Sequence, residues 1–119
     1  MVADKLNAEW RGQGARVLNV SDYYGKNGQK AWAEAVGIKA PDIEAHAGFA
    51  DTAEMMATRP EGVRRELIAP YTEDNYLTGG VAGDPREVTP AYGRKLLALK
   101  IDAAVRQIQD ATLHARLSR

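Results

Sequence analysis

Residues 11–20 read RGQGARVLNV. The two glycines suit the end of a helix. The six residues after them, 15–20, form a short apolar run with β-branched valines at 17 and 20. The run does not alternate, which predicts a strand buried on both faces. Ahead of it, residues 1–10 place Val2, Leu6 and Trp10 on one helical face. A helix, a glycine turn and a buried strand make the αβ half of a βαβ unit. The strand that should come first is absent from the chain. The expected fold class is therefore α/β with a parallel sheet.

Downstream, SDYYGKNGQ (21–29) reads as a polar loop beyond the carboxyl end of that strand, where α/β proteins usually place ligands. Its Tyr23 and Tyr24 are candidate pocket residues. A short helix is expected over 29–36 and a loop over 38–50. A second helix is expected over 51–58, with Asp51 near its N-cap and Pro60 soon after its end. Met55 and Met56 read as core packing. Residues 61–88 are rich in turn formers and predict a long ordered connection, with GVAGDP (80–85) as a tight turn. The last helix is clearly signalled. Thr89 suits the N-cap and Pro90 the first turn, and Leu97, Ile101, Ala104, Val105 and Ile108 follow the helical period to about Leu113.

The chain has 119 residues, one domain or a large piece of one. Its 16 basic and 16 acidic residues cancel, so charge gives no reason to expect nucleic acid or an anionic membrane as a partner. There is no cysteine, which removes disulfides, thiolate nucleophiles and Cys-ligated zinc and fits a cytoplasmic protein. Asp4, Lys5 and Glu9 interrupt the first ten residues, so they do not form the apolar core of a signal peptide. No stretch approaches the length of a membrane span.

Two histidines are present, His46 and His114. His114 falls on the charged final turn of the last helix and is expected in solvent. His46 has two readings: a proton-transfer group, or a ring held in a tight loop for structural reasons. Ala47 and Gly48 carry little bulk, so the backbone there can approach a ligand closely. Asp51 could hold the imidazole in one tautomer, cap the helix, or do both. A catalytic zinc takes about three protein ligands, and the chain has neither HExxH nor HxH spacing. A complete metal site is not expected within it.

HAGFADTAEMMATRPEGV (46–63) resembles a motif of the creatininase (creatinine amidohydrolase) family, through His46, Gly48, Asp51, Thr52, Met55, Pro60 and Val63. GVAGDPREVTPAYGRKLL (80–97) is similar to a second segment of that family, through Gly80, Val81, Gly83, Asp84, Pro85, Thr89, Gly93, Arg94, Leu96 and Leu97. The resemblance implies a three-layer α/β/α domain around a parallel sheet. These 119 residues would be its C-terminal half, completed by another chain.

It also implies hydrolysis of a non-peptide C–N bond, in amides, formamides or cyclic amidines, at a pair of divalent metals. Zinc or manganese is expected, with iron or magnesium as further options. The family's metal-ligand segments have no counterpart here, so an N-terminal-half chain would hold the metals, within a higher oligomer. On the same resemblance His46 takes the acid/base role and Asp51 stands where the family has glutamate, one methylene longer. Tyr24, Asp42, Glu44 and Gly48 would line the site of a small amide substrate. Pro41 stands where creatininase has a tryptophan, so a tryptophan lid is not expected. The rival expectation is a non-catalytic subunit that completes the fold and the oligomer. A third is a processed fragment.

Overall fold

The computed structural model describes residues 1–39, 43, 46–68 and 79–117. Among the described residues four α-helices can be traced: α1 (Val2–Glu9), α2 (Gln29–Ala35), α3 (Phe49–Thr58) and α4 (Pro90–Leu117). Short 3₁₀ turns lie at Ser21–Tyr23, Pro60–Gly62 and Arg65–Leu67. The chain divides into two compact units, Met1–Asn27 with Ile101–Arg119, and Gly28–Lys100.

Among the described residues there is no strand, and the expected parallel sheet of an α/β fold is not found in them. The reason lies in hydrogen bonding. A strand needs a neighbour to accept and donate its backbone bonds. In the first unit, side-chain amides take that place along residues 17–22. The Asn7 carboxamide accepts from Val17 N–H at 2.7 Å and donates to Val17 C=O at 2.9 Å. The Gln107 carboxamide accepts from Asp22 N–H at 3.0 Å and donates to the Asn19 carbonyl at 3.1 Å. A carboxamide carries the same donor and acceptor as a peptide group, so each can stand in for a rung of a ladder. The apolar run is also not buried on two faces, because Leu18 is exposed.

The described part of the second unit is built on three helices. Helix α2 ends on paired bonds, Ile38 N–H to Ala33 C=O and Gly37 N–H to Glu34 C=O, the pattern that satisfies the last carbonyls of a helix. Helix α3 begins at Phe49, two residues before the expected start, with Gly48 at its N-cap. It buries Phe49, Ala50, Ala53 and Met56, and these pack with Ala33, Ile43, Val88 and Leu96. Tyr92 closes the cluster, stacking edge-on against Trp32 and tilted against Phe49, each pair with centroids 5.6 Å apart. Met56 is core, as expected. Met55 instead lies on the open side of the helix.

Helix α4 starts where the sequence places it, and the Thr89 hydroxyl accepts from Tyr92 N–H at 3.2 Å as an N-cap should. The face it buries differs from the expected one. Gly93, Leu96 and Ala103 are buried, whereas Ile101, Val105 and Ile108 remain exposed. Gly93 sets that choice in the second unit. A Cβ there would lie 1.8 Å from the Ala53 carbonyl oxygen and 2.8 Å from the Ala57 Cβ, so α3 and α4 meet at backbone distance.

A polar contact set ties the same three helices together. Glu54 on α3 accepts from Lys100 Nζ on α4 at 2.8 Å and from Gln29 Nε2 on α2 at 2.6 Å. Gln29 Nε2 also donates to the Leu96 carbonyl at 3.1 Å. The Glu54 and Lys100 side chains are only 15% and 13% exposed, so this is an ion pair largely withdrawn from water.

Candidate functional site around His46

The backbone at His46 and Ala47 is fixed from several directions. Ala47 has φ of +53°, a left-handed conformation that costs an L-residue with a side chain about 1 kcal/mol or more. The first turn of α3 holds it there. The Asp51 carboxylate accepts from Ala47 N–H at 3.1 Å, and the Thr52 hydroxyl donates to the Ala47 carbonyl at 2.9 Å. One residue earlier, the His46 carbonyl accepts from Ala82 N–H at 2.7 Å. That bond joins the His46 turn to the glycine-rich turn at 80–85. The two motifs most distinctive in the sequence therefore meet at His46, whose side chain is exposed.

The glycine-rich turn is braced internally. Gly83 takes φ of +90°, as a tight turn there requires. Arg86 then folds back onto Asp84, with Nε 2.8 Å from one carboxylate oxygen. The hydrogen-bonded Arg86 guanidinium holds the Asp84 carboxyl below its usual range, against the smaller upward push of burial.

A cleft of about 560 Å³ opens beside this turn. Its walls include Ala47, Asp51, Thr52, Met55, Val63, Arg64 and Leu67. Volumes of this order suit a small organic ligand. The wall is mainly apolar, with Asp51, Thr52 and Arg64 as its polar members.

Of the residues singled out from sequence, the structure brings together His46, Gly48 and Asp51. Gly48 is buried at the start of α3. Tyr24 belongs to the other unit, where its ring meets Tyr23 edge-on at 4.9 Å, and it is 80% exposed. Asp42 and Glu44 lie outside the described residues. His114 is exposed on α4. Sequence reasoning assigned no role to Thr52, Arg64 or Ala82. A hydroxyl residue in the first turn of a helix, just after two small residues, was the available signal for Thr52. Ala82 acts only through its backbone and carries no such signal.

The family model described as creatinine amidohydrolase matches residues 1–108. This chain belongs to the creatininase family. No curated protein and no solved structure matches it. Creatininase membership implies amidohydrolase-type function. The family is generally metal-dependent, yet among the described residues no three His, Asp or Glu side chains converge to hold a metal ion. The described part of this creatininase-family chain does not fit a metal centre of its own. Nor is any described helix long and apolar enough to cross a membrane.

Proposed function

We propose that this chain carries the acid/base histidine of an amidohydrolase that cleaves a non-peptide C–N bond in an amide, formamide or cyclic amidine. On this reading the metal ligands lie on an N-terminal-half segment outside these 119 residues, carried by a partner chain in a higher oligomer. The observation that carries the reading is the clamp on Ala47. Asp51, Thr52 and Ala82 each form one hydrogen bond with the backbone of His46 or Ala47, three bonds that fix two residues in a conformation that is costly by itself. Such strain is retained where a side chain must be presented in one orientation.

The chemistry asked of His46 is a proton transfer. Water adds its oxygen to the acyl carbon as the C–N bond breaks. The departing nitrogen needs a proton, and an imidazolium can give it. The neutral imidazole left behind is recharged by the proton that the water gives up. Imidazole suits this because its ordinary titration range lies close to neutral pH. In this arrangement Asp51 acts through the backbone of Ala47, as a positioning residue.

A non-catalytic subunit is the second reading. The shorter carboxylate at Asp51, occupied by the Ala47 N–H, favours it. One experiment separates the two. His46→Asn is assembled with its partner chain, and turnover is measured per folded, metal-loaded complex. The catalytic reading expects a loss of about a hundredfold or more, within the range for general acid–base groups. Turnover near wild type removes His46 from the chemistry.

A further inference from the structure

We infer that the cleft lined by Ala47 and Asp51 takes a small organic monoanion, its carboxylate paired with Arg64 and its apolar body against Met55, Val63 and Leu67. This deepens the proposed function, on which it rests for the claim that the bound molecule is a substrate. Three arginines follow α3 closely, and two of them are already engaged. Arg59 pairs with Glu61 at 3.0 Å. Arg65 donates to the Val88 carbonyl at 3.4 Å and lies 3.1 Å from the Met56 sulfur. Arg64 has no ion pair or hydrogen bond from its side chain among the described residues, and it stands on the wall of the cleft.

The rest of the wall sets the ligand's character. Met55, Val63 and Leu67 offer apolar surface, and both Met55 and Leu67 are exposed. Burying part of that surface against an apolar body is favourable. A guanidinium matches a carboxylate with two parallel hydrogen bonds. Asp51 also lines the cleft, and its negative charge disfavours a dianion such as a phosphate monoester. The combination selects one negative charge at one end of a small apolar molecule. For the proposed reaction, that means an amide substrate bearing a separate carboxylate.

The test uses hexanoate as the probe, with hexanol and hexylammonium as neutral and cationic matches. Binding to the full chain is followed by the methyl resonance of Met55. Hexanoate should shift that resonance saturably, and the two matches should bind at least about tenfold more weakly, the scale of one charge-assisted hydrogen-bonded contact. Arg64→Gln should weaken hexanoate by a similar factor. Arg64 is exposed, so the variant should keep its fold, which circular dichroism checks. His46→Asn should bind hexanoate like the wild type. The proposal is overturned if hexanoate does not bind, if hexanol binds as well as hexanoate, or if Arg64→Gln changes nothing. Those outcomes are independent of turnover. Loss of activity in His46→Asn alongside a negative hexanoate result would retain the catalytic reading and remove this ligand assignment. The reverse pattern would retain the site and remove the catalysis.

Discussion

Asp51 and Ala47 are joined by a hydrogen bond from the backbone N–H of one to the carboxylate of the other, across a left-handed residue that is not glycine. The bond gives Asp51 a structural task whatever else it does. It also makes Ala47 a sensitive probe of the turn. Ala47→Gly removes the steric cost of the positive φ and should change stability by less than about 1 kcal/mol. Ala47→Val puts a β-branched side chain into the same conformation and should destabilise by roughly 1–3 kcal/mol. Urea unfolding of the two variants checks the difference. Equal stabilities would mean that residue 47 is not held left-handed in solution.

Gly93 allows the closest approach between α3 and α4. Gly93→Ala would place a methyl group on the Ala53 carbonyl oxygen, which has no room to retreat without moving a helix. A loss of roughly 2 kcal/mol or more is expected, at the upper part of the range for overpacking a core. An alanine is normally the better helix former by up to about 1 kcal/mol, so the sign itself is diagnostic. Thermal unfolding decides it, and a stabilised variant would show that the two helices are further apart than described.

Glu54 and Lys100 form an ion pair that Gln29 extends to a third helix. Removing one partner strands the other charge away from water. Lys100→Met should therefore cost roughly 2–4 kcal/mol, somewhat under the range for fully buried pairs because both groups keep some exposure. Glu54→Met combined with Lys100→Met should recover much of that loss, since no unpaired charge remains. Denaturant midpoints of the two single variants and the double variant test the coupling. Additive losses would mean that the pair does not act as a unit.

The Asp84 carboxyl titrates below its ordinary value of 3.8 because Arg86 is hydrogen-bonded to it. A folded pKa below the unfolded one stabilises the fold while the carboxylate is charged in both states. That contribution is complete above the ordinary carboxylate range and is lost as pH falls through the lowered folded value. The Tm of Asp84→Asn should thus lie below that of wild type at neutral pH, with the gap narrowing in acid below about pH 4. A gap constant over that window would count against the Arg86 interaction.

Local signals were readable where one stretch of chain decides the outcome. Thr89 and Pro90 fixed the start of α4, and the two motifs around His46 and Gly83 carried the family. Readings failed where a partner distant in sequence decides. The run at 15–20 has the composition of a strand, but strand formation depends on neighbours, and Asn7 and Gln107 took their place. Helix α4 has more than one apolar stripe. The stripe it buries in the second unit is chosen by Gly93, whose relevant property is the side chain it lacks. Glu54 and Lys100 are 46 residues apart, and neither hints at the other in a linear reading. Within the site, the Asp51–Ala47–Thr52 clamp joins side chain to backbone, which a motif of residue types does not display.

The side-chain amides that brace residues 17–22 give that segment its own clock. A β-ladder shields its N–H groups cooperatively, so they exchange with solvent deuterium only when several bonds open together. Val17 and Asp22 each depend on a single carboxamide, and rotating one side chain exposes them while every helix stays intact. Their exchange is therefore expected at the fast, local end of the spectrum, with little response to denaturant. Amides buried between α3 and α4 should wait for a far larger opening. A chain of this kind would lose its deuterium pattern at 17–22 long before it loses its shape.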